Sequence, residues 1–150
     1  MIVTLYLAPS LEPVTKADLE TQLGVSSGTM RYWQSRGVKI ETHLFGAAFS
    51  AGFFIFTAGD VRLVDEYADL MWLEVQSFAG FGFKVDTPSD REEAARVLRH
   101  LQDIRNIYLS ARSKLTKQEI DAKIAKKEWW MSGKQALEYG FADGFINKVK

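Results

Sequence analysis

Gly46-Ala47-Ala48-Phe49-Ser50-Ala51-Gly52-Phe53-Phe54-Ile55-Phe56-Thr57-Ala58-Gly59-Asp60 is the stretch around which the rest of the chain is arranged. Val38 to Phe45 reads as a strand feeding into it. From Ser50 to Ala58 the residues are apolar or small on every side, which predicts a helix buried all round. Gly59 stands where a left-handed residue would stop that helix. Ser50 is the only hydroxyl at its start. A serine there has the first free N–H groups and the positive end of the helix dipole beside its Oγ, the parts that an oxyanion needs. Ala48-x-Ser50-x-Gly52 is one methyl away from the nucleophile-elbow pattern G-x-S-x-G. These residues alone allow two readings: Ser50 caps a core helix, or Ser50 is a nucleophile.

The totals around this stretch are those of one folded domain. At 150 residues with 47% hydrophobic content, the chain is long enough and apolar enough for a real core. Its 19 basic and 19 acidic side chains balance, so no electrostatic footprint for nucleic acid or a membrane surface is expected. Without cysteine there is no disulfide and no thiolate metal site, and neither a metal nor a cofactor is expected. Met1 to Leu5 carries no basic n-region and no apolar run approaches the ~20 residues of a membrane span, so the expectation is a soluble, cytoplasmic protein.

Reading outward, Ile2 to Leu7 is predicted as a strand, Ala8 to Pro13 as a loop, and Thr15-Lys16-Ala17-Asp18 as the start of a short helix ending at Gly24. Ser26 or Ser27 caps a second helix that runs through Ser35 and closes at Gly37. Val61 to Val64 and Leu70 to Val75 are apolar runs of strand length, and the alternation predicts an α/β domain. Phe78-Ala79-Gly80-Phe81-Gly82-Phe83 reads as a loop or a covered surface. Ser89 to about Ser113 is the longest helix, its apolar side formed by Ala94, Val97, Leu98, Leu101, Ile104, Ile107 and Tyr108. Thr116-Lys117-Gln118-Glu119 and Ser132-Gly133-Lys134-Gln135 each open a further helix, the second ending at Gly140. Phe141 to Val149 closes with a turn and a strand.

Lys126-Lys127-Glu128-Trp129-Trp130-Met131-Ser132-Gly133-Lys134-Gln135-Ala136-Leu137-Glu138-Tyr139-Gly140-Phe141-Ala142-Asp143 closely resembles the end of the proteolytic subunit of the Clp protease, ClpP. There an Asp, two bulky residues, a Met- or Leu-Ser pair and an Ala-x-Glu-Tyr-Gly helix end recur. In the same register Ile40 to Asp60 is similar to that family's strand, nucleophilic serine and buried helix, and Ser89–Ser113 to its handle helix. The resemblance covers roughly residues 36 to 150 plus the first strand. It implies the crotonase-like fold of stacked ββα units with a protruding handle, in a single domain over 1–150 in which 8–25 is a divergent insertion.

The same resemblance implies a serine endopeptidase with Ser50 as nucleophile, Ala51 at the oxyanion site, and Glu128 where the family has its triad Asp. The family's histidine falls on Glu74, so its usual base is absent. His43, on the strand before Ser50, is expected half-buried, and His100 on a solvated helix face. A carboxylate with an ordinary pKa of about 4.3 is a weak base for a serine hydroxyl, although two carboxylates sharing a dry site can raise it. The family's Ser-Pro-Gly-Gly oxyanion loop is replaced by Ala8-Pro9-Ser10-Leu11-Glu12. Implied partners are protein or peptide substrates and either further copies in a ring, heptameric or stacked, or host ClpP subunits. An AAA+ unfoldase is implied as well, although the axial loop and first helix that help to dock it are expected to be missing. Impaired proteolysis and a catalytically inactive assembly subunit are the two functions left open. Phe81, Phe83, Ile107, Tyr108, Trp129 and Trp130 are expected partly in the core and partly between subunits.

Overall fold

A computed structural model describes residues 2–7, 27–76 and 87–146. In chain order the elements are β1 (Ile2–Leu7), α1 (Ser27–Ser35), β2 (Lys39–Leu44), β3 (Ala47–Phe49), α2 (Ala51–Phe56), β4 (Val61–Val64), β5 (Asp69–Trp72), α3 (Pro88–Ala111), α4 (Lys117–Ile124), β6 (Trp129–Ser132), α5 (Gly133–Glu138) and β7 (Gly144–Phe145). β1, β2, β4 and β7 form an all-parallel sheet in the order β1-β2-β4-β7. The second sheet has the order β3-β5-β6, with β3 parallel and β6 antiparallel to β5. Strand–strand–helix therefore occurs twice, as β2-β3-α2 and β4-β5-α3, each time with its first strand in one sheet and its second in the other. This is the expected α/β architecture of stacked ββα units. The predicted helix at 15–24, the whole of the 8–25 insertion, and Phe78–Phe83 lie outside the described residues.

Local chemistry accounts for most element ends. Thr87, Thr116 and Ser132 each accept from the N3 amide of the helix they precede, and the N3 side chain returns the bond to the cap amide. Pro88 fills the first turn of α3, where its missing N–H costs nothing. Gly37 and Gly140, both at φ +79, stop α1 and α5 as expected.

Several elements differ from the sequence expectation. β3 and β6, three and four residues long, were not expected as strands. α2 spans six residues, not nine, and it ends through Thr57 in the right-handed region. Gly59 is not a left-handed stop. It is needed for space, because a Cβ there would lie 2.5 Å from Thr42 Oγ1. Nor is α2 buried all round: Phe53, Ile55 and Phe56 are buried, but Phe54 is only half-buried.

β5 stops at Trp72, short of the expected Val75, because the Val75 amide turns away to Gln102 Oε1. α3 starts one residue earlier than expected, at Pro88, and ends at Ala111. Its inward side is also rotated from the apolar stripe. Ala94, Asn106 and Leu109 are buried, while Ile104 and Ile107 are 52% and 55% exposed.

The core lies where α2 meets the two sheets. Phe53, Phe56, Phe141, Ile40, Leu44, Val64 and Leu70 are fully buried. Trp129 joins this core, packing edge-on to Tyr139 and Phe141. A polar tie closes one end. Arg62 of β4 makes a two-pronged bond to Asp143 (Nε to Oδ2 3.0 Å, Nη2 to Oδ1 2.7 Å) and donates through Nη1 to the Arg112 carbonyl at 2.6 Å. Arg112 in turn donates to the carbonyls of Thr57 and Gly59. Two arginines thus bind the ends of α2 and α3 to the turn before β7.

Candidate active site

Ser50 occupies the single residue between β3 and α2. Its backbone stands at φ 50, ψ −109. That combination lies outside the left-handed helical basin and is steeply disfavoured for a residue with a Cβ. The surroundings hold it there. The Ser50 amide donates to the Met71 carbonyl at 2.9 Å, and the Phe54 amide donates to the Ser50 carbonyl at 3.1 Å. At the other end of β3, Gly46 at φ +85 accepts from the Asp69 amide at 2.7 Å. β3 is therefore pinned to β5 at both ends.

The side chain of Ser50 makes no capping bond and the residue is exposed. The capping reading of Ser50 is thereby excluded. A serine lifted out on a strained strand-to-helix turn is instead the geometry of a nucleophile elbow. Ala51, Gly52 and Phe53 open α2, so their amides have no intrahelical acceptor.

Glu74 lies two residues past the end of β5, and Glu128 directly before β6, its neighbour in the sheet. In the β5–β6 ladder Trp72 pairs with Trp129 and Met71 with Trp130, so Glu128 enters β6 beside the residues that leave β5. Glu74 follows Trp72 by two residues, roughly 7 Å of extended chain. Both carboxylates are exposed. Glu74 Oε1 accepts from the Lys126 amide at 3.5 Å, and Glu128 Oε2 accepts from Trp130 Nε1 at 3.0 Å. Among the described residues these are their hydrogen bonds, and none joins either carboxylate to the other or to Ser50. His43 is half-buried on β2, its Nε2 3.5 Å from Glu41 Oε2, and His100 is exposed on α3. Among the described residues no three His, Asp or Glu side chains are grouped in a way that would hold a metal ion.

Two groupings beside the site were not expected from the sequence, although Trp130 itself is among the residues expected in the core or between subunits. The first is an apolar row on the outward face of the second sheet, made of Phe49, Met71 and Trp130 at one register. Phe49 and Trp130 meet edge-on across it at 5.1 Å, 42% and 52% exposed. A signal was available, since Phe49 directly precedes the serine. The second is a buried polar cluster around Asn106, which the apolar periodicity of α3 conceals.

A mixed α/β scaffold of two sheets, with an exposed serine on a strained turn from strand to helix, is the framework used by enzymes that attack through a serine hydroxyl. The model of the family described as Clp protease matches residues 27–149, and the chain belongs to that family. No curated protein matches the sequence at a significant level. Among the described residues no helix is long and apolar enough to cross a membrane.

Proposed function

We propose that this chain is a ClpP-like proteolytic subunit that hydrolyses peptide bonds through Ser50, slowly, because a carboxylate stands where a histidine base is expected. The backbone of Ser50 carries the reading: a conformation costing on the order of 1–3 kcal/mol persists without any capping bond to reward it. In the reaction, Ser50 Oγ bonds to the substrate carbonyl carbon as its proton passes to Glu74. The Ala51 amide at the head of α2 donates to the developing oxyanion. The proton then goes to the leaving amine as the C–N bond breaks, and water releases the acyl group from Ser50 in a second round. Glu128, just before the neighbouring strand, stands where the family's triad carboxylate would orient the base. Both carboxylates face solvent, so the dry pocket that would make either a stronger base is not built from the described residues. Slow turnover follows from that.

The second reading is a catalytically inactive assembly or modulating subunit, favoured by the outward-facing Ile104 and Ile107 on α3. On either reading the partners are other copies in a ring, heptameric or stacked, or host ClpP subunits in the cytoplasm, with an AAA+ unfoldase supplying unfolded protein. The discriminating experiment is labelling by a fluorophosphonate probe, alone and mixed with an active bacterial ClpP, with Ser50→Ala as control. Labelling confined to Ser50 supports the peptidase. Its absence in both settings leaves the assembly role.

A further inference from the structure

Gln102 and Asn106, one turn apart on α3, bracket the segment that carries Glu74. The Val75 amide donates to Gln102 Oε1 at 2.5 Å. On the other side of Glu74, the Trp72 indole donates to Asn106 Oδ1 at 2.9 Å, and Gln102 Nε2 donates to that same oxygen at 2.9 Å. Leu73 and Glu74 therefore sit between two residues tethered to one pair of amides. Asn106 is fully buried and is itself held, donating through Nδ2 to Asp121 Oδ1 at 2.7 Å. Lys117 bridges Asp121 and Asp103, at 2.7 Å to each, and so locks α4 against α3.

Trp72 extends this cluster to the serine. Its rings lie 5.9 Å from Phe53 and 6.1 Å from Phe54, both on α2, and Phe54 is 4.8 Å from Tyr108 of α3. A helix of six residues has little stability of its own. The strained turn at its head therefore depends on what is packed behind it. An aromatic ring alone can slide. One whose N–H is bonded to a buried, doubly anchored amide has a fixed orientation.

We propose that Gln102 and Asn106 are positioning residues for the Ser50 reaction, holding α2 through Trp72 and the Glu74 segment through Val75. This rests on the reading of Ser50 as the reacting group. Neither amide touches reacting atoms, so the effect is one of placement, where an error of about 1 Å costs on the order of 100-fold in rate.

The test is the second-order rate of fluorophosphonate labelling of Ser50 in the full chain, measured with the thermal midpoint and the Trp72 indole N–H resonance. Gln102→Met removes the tether at nearly constant volume, and Gln102→Glu keeps an acceptor for the Val75 amide. Expected is a loss of about tenfold or more in Gln102→Met and a smaller loss in Gln102→Glu, which keeps the acceptor for Val75 but gives up the donor to Asn106 Oδ1, at thermal midpoints close to wild type. Asn106→Leu should lose at least as much and shift the Trp72 indole resonance; if it fails to fold, the Gln102 pair decides. Wild-type labelling rates in Gln102→Met would overturn the positioning role and leave the Ser50 reading intact. Loss of rate in Gln102→Met only in step with unfolding would overturn it too. A wild-type protein that does not label overturns the Ser50 reading and the positioning role with it.

Discussion

The Ser50 amide and the Met71 carbonyl, 2.9 Å apart, form the bond on which the candidate site depends. It extends the β3–β5 ladder by one step past Phe49 and Met71, then leaves the chain nowhere to go but into α2. The serine is held at positive φ because its own amide is committed to β5 and its carbonyl to α2. Its side chain is left free of both.

Strain of this kind can be removed by mutation. Ser50→Gly replaces a residue with a Cβ by one at ease at φ 50, and should stabilise the fold by about 1 kcal/mol while abolishing probe labelling. Chemical denaturation of the pair of proteins measures it. Equal or lower stability in the glycine variant would mean that the turn is not strained.

If the missing histidine limits the rate, restoring it should help. Glu74→His combined with Glu128→Asp should raise the labelling rate of Ser50 by about 100-fold or more near neutral pH. Hydrolysis of a fluorogenic peptide should rise in parallel. Neither single change should match the pair, because the imidazole needs a carboxylate to hold its tautomer. An unchanged rate would place the reacting base elsewhere.

Arg62 and Asp143 give the fold an acid-sensitive joint. Burial works to raise the Asp143 carboxyl, but the hydrogen bonds and charge of Arg62, with Arg112 beyond it, outweigh burial and hold it below the usual carboxylate range. A depressed carboxyl adds stability that is complete above its ordinary value, near 3.8, and disappears as pH falls through the lower folded value. Asp143→Asn should cost about 2 kcal/mol at neutral pH, tempered by the partial exposure of Asp143. It should also flatten the stability profile below about pH 4. Thermal midpoints measured from pH 7 down to 3 check both.

Gly133, the first residue of α5, faces the β4–β5 turn. A Cβ there would lie 1.9 Å from the Asp65 carbonyl oxygen, and backbone on both sides cannot yield cheaply. Gly133→Ala should destabilise the domain by about 3 kcal/mol, read as a lowered thermal midpoint. Surface substitution of the nearby Lys134, whose ion pair with Glu66 is exposed, should change it by no more than about 0.5 kcal/mol.

Self-association should run through α3. Ile104→Glu with Ile107→Glu alters two exposed side chains and should leave stability within about 0.5 kcal/mol. In sedimentation velocity the double variant is expected to form smaller species than wild type. Identical profiles would move the contact to another face, first to the row of Phe49 and Trp130.

Much of the scaffold was written locally. Caps at Thr116 and Ser132, glycine stops at 37 and 140, the strand read at 38–45 and the apolar run at 61–64 report short-range preferences. The family resemblance lay in the same local register, at 126–143 and around Ser50, and the family match over 27–149 agrees with it. The residues that the resemblance matches to a site, Ser50, Glu74 and Glu128, could also be named there, with no histidine at the family's position.

Other features depended on residues far apart in sequence. Gly59 looked like a helix stop, yet it is glycine because Thr42, on a different strand, leaves no room for a Cβ. Asn106 sat unnoticed in a helical pattern because its partners, Trp72 and Asp121, are 34 and 15 residues away. Ser50 had two local readings, and periodicity could not choose between them. Ser50, Glu74 and Glu128 could be named from the chain alone, through the family motifs that they match. The conformation of Ser50 came from the fold, because it is held by a hydrogen bond to β5 and by the packing of Trp72 behind α2, contacts that lie far from it in the chain.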